Sequence, residues 1–203
     1  MLDDFKSCVI LCGGQSLRMG FDKSLIKIQG EYLIDIIAKK LLNIFHEVLL
    51  IVNNREKFKH FNYRILEDDE KYRGSAYGIY TALKNIRSKY AFIIACDMPF
   101  VNLELINYMI ERAINKDAVI PKNGPFIEPL YGIYSRGMVN IFKREIENGD
   151  FKISNILKYF NVEYIDEKII RGFDSELSLF TNLNSLSDLL KIRDLFSVHK
   201  TDF

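Results

Sequence analysis

Between residues 11 and 23 the chain runs Leu-Cys-Gly-Gly-Gln-Ser-Leu-Arg-Met-Gly-Phe-Asp-Lys. Gly13 and Gly14 let backbone N–H groups approach an anion closely, and free N–H groups in such turns form anion nests. Arg18 and Lys23 add two positive charges, the first suited to bidentate phosphate contact and the second to act as a point charge. Together they describe a polyphosphate cradle. The loop is neither a Walker A sequence, since no Lys follows Gly20, nor G-x-G-x-x-G. A second candidate is Asp97, which follows the apolar run Ala91–Cys96. Its carboxylate is a hard oxygen donor, and Mg²⁺ takes one or two protein carboxylates while phosphates and waters complete its octahedron. Taken alone, such an Asp is as well read as a turn or cap residue. Asn182 and Asn184 alternate, so that their side chains share one face of an extended segment or else cap a following helix.

Other reactive side chains form no pattern. His46, His60 and His199 are scattered, which leaves no His-based metal or nucleophile arrangement. Cys8, Cys12 and Cys96 lie in or beside apolar runs and read as buried, inert thiols. Tyr72, Tyr77 and Tyr80 read as core residues with some access to a pocket wall.

The elements that must position these groups follow from periodicity. Strands are expected at Cys8–Leu11, Val48–Val52, Tyr63–Leu66 and Ala91–Ala95, and, after residue 117, at Ala118–Ile120, Leu130–Tyr134 and Val162–Ile165. Helical spacing joins Leu33, Ile34, Ile37, Leu41, Leu42 and Phe45; Ile79, Leu83 and Ile86; and Leu103, Ile106, Met109, Ile110 and Ile114. Further helices are expected over Met138–Glu147, Asn155–Phe160 and Ser185–Phe196, the last with Ser185 as N-cap. This alternation predicts an α/β fold, with a mostly parallel central sheet between two helical layers and right-handed crossovers. Parallel strands put their C-terminal ends on one edge, where open α/β sheets bind ligands. Gly13-Gly14, Asn53-Asn54-Arg55, Glu67-Asp68-Asp69 and Asp97 each follow a strand and are expected to meet there. That shared edge favours the metal reading of Asp97.

Composition narrows the function further. Twenty-eight Lys and Arg against 27 Asp and Glu leave a net charge of +1, which excludes a global basic field for nucleic acid. No apolar run is long enough to span a bilayer, so no membrane partner is expected. The start, Met1-Leu2-Asp3-Asp4-Phe5-Lys6, is unlike a signal peptide, and three cysteines make no closed disulfide set; a cytoplasmic location is expected. No linker, repeat or low-complexity segment breaks the 203 residues. One domain is expected, with residues 1–117 forming a nucleotide-type α/β half and 118–203 supplying a second wall.

The first loop resembles the LAGGxSxRMGxDK signature of the molybdenum cofactor guanylyltransferases, the MobA family. The resemblance continues through Val52-Asn53-Asn54-Arg55, Glu67-Asp68, Gly74–Gly78, Cys96-Asp97-Met98-Pro99, Glu128-Pro129-Leu130 and Phe180–Asn184. It implies a Rossmann-like nucleotidyltransferase that uses Mg²⁺ to transfer GMP from GTP to molybdopterin-bound molybdenum cofactor, releasing pyrophosphate, and that receives its acceptor from cofactor-delivery proteins. Carried over by motif, Leu11, Cys12, Gly13, Gly14 and Lys23 bind GTP, Asn53 and Asp68 lie near its base and ribose, and Asp97 binds nucleotide and metal. Two departures stand out: Cys12 replaces the usual Ala, and Gly74-Ser75-Ala76-Tyr77-Gly78 replaces a typical GPLAG.

The chemistry suits these residues. A phosphate monoester is already ionised near neutral pH, so no strong base is required, and the difficulty is repulsion between two anions. Arg18 and Lys23 are assigned to phosphate neutralisation and Asp97 to anchoring the metal. Asn184 or Asn182 adds a polar contact to the metal shell, and Asn182 and Lys152, with Lys143 and Arg144, face the acceptor or simply solvent. A related transferase using CTP or a sugar phosphate, and a nucleotide-binding module without catalysis, remain open on the residues alone. Retention of Lys23 and Asp97 speaks against the second.

Overall fold

Strands covered on both faces need apolar residues at successive positions rather than at alternate ones, and this is what the runs at residues 7–11, 47–52 and 90–95 supply. In a computed structural model, which describes residues 4–13, 23–68, 74–183 and 188, they become β1 (Ser7–Leu11), β4 (Glu47–Val52) and β6 (Tyr90–Ala95). Between them lie a two-stranded hairpin, β2 (Lys27–Ile28) and β3 (Glu31–Tyr32), then α1 (Leu33–Leu41), β5 (Arg64–Glu67) and α2 (Ser75–Asn85). The rest comprises α3 (Leu103–Arg112), β7 (Ala118–Asn123), β8 (Phe126–Ile127), β9 (Tyr131–Ser135), α4 (Val139–Glu147), α5 (Ile153–Ile156), β10 (Val162–Ile165) and α6 (Glu167–Ile170).

The main sheet has the order β10-β7-β9-β6-β1-β4-β5, with β8 also paired to β7. Strands β5, β4, β1 and β6 are all parallel, as are β10 and β7, whereas β9 runs antiparallel to both β6 and β7. The expected three-layer, mostly parallel sheet is therefore present, with one reversed strand at its centre. Chain order turns outward from β1 in both directions, so the topological switch point, where such sheets bind ligands, lies between β1 and β6.

Two cores cover the sheet. Cys8, Ile10, Phe92 and Ile94 pack with α1 and α3 on one face, and Val9, Ala91 and Ile93 pack with α2, α4 and α5 on the other. The alternation of β1 and β6 between these cores is the period-2 rule applied to a strand with two buried faces. Helix α3 begins at Asn102, whose side chain accepts from Leu105 N at 2.9 Å, and it buries Leu105, Ile106 and Met109.

The structure departs from expectation in small ways. The third strand covers Arg64–Glu67 instead of Tyr63–Leu66, and β2, β3, β8 and α6 are additional. Residues 155–159 belong to α5 and to a following 3-10 turn at Leu157–Tyr159, with extended Phe160 just beyond it. Apart from residue 188, the helix expected over Ser185–Phe196 lies outside the described residues, as does Tyr72. Cys8, Cys12 and Cys96 are buried and form no disulfide, and burial pushes the Cys8 thiol well above its ordinary range. Among the described residues no helix is long and apolar enough to cross a membrane.

Reversal of β9 has a local consequence. Val119 of β7 faces Ile133. With constant register Lys122 would face Leu130, yet it faces Ile127. Glu128 N still donates to Pro121 O, so strands β8 and β9 are one strand interrupted after Glu128 by a bulge of three extra residues within 129–132. Bulges of this kind re-aim side chains, commonly next to active sites.

Candidate active site

The loops after β1, β4, β5 and β6 meet at the C-terminal edge of the sheet. Cys12 N donates to Ile51 O at 2.8 Å, and Cys96 N donates to Leu11 O at 3.0 Å, so the ladder continues past the end of β1 on both sides. A Cβ on Gly13 would stand 2.7 Å from Asn53 Oδ1; the missing side chain lets the first loop and Asn53 come together. The neighbouring Asn54 is used differently. Its side chain accepts from Glu56 N at 3.0 Å and caps the 3-10 turn Arg55–Phe58, which leaves Asn53 as the member of the pair against the first loop.

Asp68 closes the β5 end, with its N–H donating to Val52 O at 2.8 Å. Burial pushes its carboxyl up to about 6, although a hydrogen bond from Thr81 on α2 works in the opposite direction. Its Oδ1 is buried with no hydrogen-bond partner among the described residues. Helix α2 starts beside this carboxylate because residue 78 is glycine: a Cβ there would meet Leu11 Cδ2 at 3.3 Å and Asp68 Oδ2 at 3.6 Å.

Asp97 is half-buried in the turn after β6. Its carbonyl accepts from Leu183 N at 2.9 Å, which brings residues 181–183, remote in sequence, to the same edge. Asn182 Oδ1 there is buried without a hydrogen-bond partner among the described residues. From the other side comes the bulge. Leu130 O accepts from Ala95 N at 3.0 Å, and Glu128 N donates to Pro121 O at 2.8 Å. Tyr134 Oη donates to Pro129 O at 2.6 Å. Burial raises the Glu128 carboxyl, a hydrogen bond from Leu130 N offsets part of this, and the negative charge of Asp97 raises it further.

Leu11, Cys12, Gly13, Asn53, Asp68, Asp97 and Asn182 are therefore gathered at one edge. Gly14, Arg18 and Asn184 lie outside the described residues, and of Lys23 only the backbone is described, at the start of the 3-10 turn Lys23–Leu25. Lys152 is exposed and precedes α5, with its N–H donating to Asp150 Oδ1 at 2.9 Å. Lys143 and Arg144 pair with Glu147 and Glu145 on α4. Glu128 also reaches this edge, though spacing and residue type give it no role. Its carboxylate becomes a neighbour of Asp97 through a register slip that no local pattern reveals.

The donor set fits a hard divalent cation. Asp97 offers a carboxylate and Asn182 a buried amide oxygen that lacks a donor, and both are the oxygen ligands Mg²⁺ prefers. Among the described residues no group of three His, Cys, Asp or Glu could hold a metal; a site of one carboxylate and one amide leaves most positions to phosphate and water, as is usual for this ion.

Residues 8–163 match the family of the MobA-like NTP transferase domain. A relative from Natranaerobius thermophilus named "Probable molybdenum cofactor guanylyltransferase" is 36% identical, with 95% of this chain and 97% of the relative aligned. A molybdenum cofactor guanylyltransferase from Syntrophotalea carbinolica is 32% identical over 93% of this chain and 91% of its own. Among solved structures, molybdopterin-guanine dinucleotide biosynthesis protein A from Archaeoglobus fulgidus superposes with a TM-score of 0.82 at 28% identity, covering 95% of this chain and 99% of the other. With its edge of glycine, amide and carboxylate groups at the switch point of a mostly parallel sheet, this chain belongs to the MobA-like nucleotidyltransferase family of molybdenum cofactor guanylyltransferases.

Proposed function

We infer that this enzyme transfers GMP from GTP to the terminal phosphate of molybdopterin-bound molybdenum cofactor, forming molybdopterin guanine dinucleotide and releasing pyrophosphate. The observation that carries the reading is the convergence of Gly13, Asn53, Asp68 and Asp97 on one sheet edge in a chain of this family. An acceptor phosphate oxygen bonds to the α-phosphorus of GTP as the bond from that phosphorus to the pyrophosphate oxygen breaks. The nucleophile is already anionic, which agrees with a site whose described side chains include no His base.

The residues divide the work by position. Leu11, Cys12, Gly13 and Gly14 offer backbone to the nucleotide, while Arg18 and Lys23 offset the charge of the phosphates. Asn53 and Asp68 flank the base and ribose end. Asp97, with Asn182 or Asn184, holds Mg²⁺, which when bound supplies positive charge to the triphosphate and leaving group. In this reading the chain is one domain, with residues 1–117 serving the nucleotide and 118–203 serving the acceptor through Asn182 and Lys152. It works in the cytoplasm, where its three thiols stay reduced, and takes its acceptor from a cofactor-delivery protein.

Pyrophosphate release measured with GTP, CTP and ATP in the presence of molybdenum cofactor tests this directly. GTP should be the productive nucleotide and Lys23→Ala should weaken its binding by about 1.5–3 kcal/mol, the size of a hydrogen bond to a charged group. Faster turnover with CTP would overturn the guanylyl assignment.

A further inference from the structure

Strand β8 carries a feature that nucleotide binding does not use. Phe126 is 75% exposed, the most exposed large hydrophobic side chain among the described residues. It faces Asn123 across the β7–β8 hairpin, whose turn contains Gly124 at φ +55°. The hairpin is firmly held: Lys122 pairs with Asp166 at 2.7 Å, β10 pairs with the stem of β7, and Glu128 N extends the β7–β8 ladder to Pro121 O. A bare aromatic ring on an anchored hairpin offers a flat face on which a flat ligand can stack.

Its position follows from register. Ile127 packs into the core shared with α2 and α4, so by strand alternation Phe126 and Glu128 share the opposite face. Glu128 lies within the field of the Asp97 carboxylate, and the bulge that follows it is bonded to the end of β6. Strand β7 runs parallel to β6, since each is antiparallel to β9. The hairpin tip therefore points past the same edge as Asp97, with Phe126 two residues, about 7 Å, from Glu128 along the strand.

We propose that Phe126 on the β7–β8 hairpin is the stacking platform for the flat heteroaromatic ring of the acceptor, holding that ring while its phosphate monoester reaches the Asp97 edge. The proposal rests on the guanylyl-transfer reading for the acceptor's identity. It makes Phe126 a specificity-determining residue for ring-bearing phosphate monoesters and assigns it no part in GTP binding.

The chain contains no tryptophan, so Phe126→Trp installs a single fluorescent reporter at the platform. Titration of this variant with molybdopterin, and with a simple pterin monophosphate, should give saturable quenching without GTP present. In steady-state assays Phe126→Ala should raise the acceptor KM roughly tenfold, in line with the loss of one ring stack, while the KM for GTP stays at the parental value. Phe126→Tyr should retain the parental acceptor KM, and Phe126→Leu, apolar but unable to stack, should resemble Ala. An unquenched indole in a Phe126→Trp variant with parental melting behaviour, an unchanged acceptor KM in Phe126→Ala, or full function in Phe126→Leu would each overturn the platform. If the parent enzyme released no pyrophosphate from GTP with this acceptor, the guanylyl reading would fall. The fluorescence titration would still decide, separately, whether the ring is bound at the hairpin.

Discussion

The parallel block β5-β4-β1-β6 and the bulged strand β8–β9 reach the same edge of the sheet by different means. In the parallel block, topology alone delivers Gly13, Asn53, Asp68 and Asp97, because every strand ends on one side and the loop after it has nowhere else to start. The bulged strand runs in the opposite sense, so its bottom end, not its top, is where a regular loop would follow. It contributes through three extra residues that break register after Glu128, with Glu128 tied to β7 and Leu130 to β6 by backbone hydrogen bonds. One region is robust because it is regular. The other depends on a few specific contacts.

The largest effect that can separate the two is expected at Asp97. Asp97→Asn keeps the shape of the turn and the carbonyl that receives Leu183 N, but removes the charge proposed to hold the cation. Pyrophosphate release should fall roughly 10²–10³-fold, as for loss of one preorganised electrostatic contact, while the melting temperature stays near the parental value. Turnover close to parental would show that the regular edge does not carry the metal.

Next comes the strand that supports that edge. Ile94 is fully buried on β6, where it pairs with Ile10 and Tyr131. Ile94→Ala should cost about 2–5 kcal/mol through lost burial and a residual cavity, read as a lower urea midpoint. An unchanged midpoint would mean that the parallel block is not the stabilising part of the sheet.

The bulge should respond more modestly and in a different property. Tyr134→Phe deletes the hydroxyl bound to Pro129 O, at a cost of about 0.5–1.5 kcal/mol if the carbonyl finds water. If the bulge lines the acceptor site, as proposed, the acceptor KM should rise while the KM for GTP holds. Equal changes in both would tie the bulge to the nucleotide instead.

The smallest effect has the opposite sign. Burial raises the folded-state pKa of Asp68 from the ordinary 3.8 to about 6. The folded protein then binds more protons than the unfolded chain in this interval, so stability falls as pH rises from about 4 to 6 and the cost persists above it. Asp68→Asn should therefore stabilise the nucleotide-free enzyme at pH 7, on the order of 1 kcal/mol after solvent screening of a partly exposed group. The gain should vanish below pH 4. A variant less stable than the parent at pH 7 would show that the carboxylate is already compensated in the free protein.

Much of this is legible in the residues. The short apolar runs Val48–Val52 and Ala91–Ala95 read as doubly covered strands, and the polar clusters after them must share an edge once the strands are parallel. The order of α1, α2 and α3 follows from helical spacing in the same way, because burial of one apolar stripe is a local demand on sequence. Contacts made between remote segments are not legible. Nothing in Asn53-Asn54 says which amide caps the 3-10 turn and which meets Gly13; the choice is made by the backbone after β4.

Periodicity and residue types at short spacing are thus enough for the layered α/β architecture, for the strand ends that share one edge, and for the family. The folded chain was needed to learn that β9 is reversed, that Leu183 ties Asn182 to Asp97, and that Glu128 and Phe126 stand on one face beside the candidate site. These depend on strand direction and register between segments far apart in the chain. A shift of one residue in such pairing exchanges the two faces of a strand while leaving every local preference unchanged.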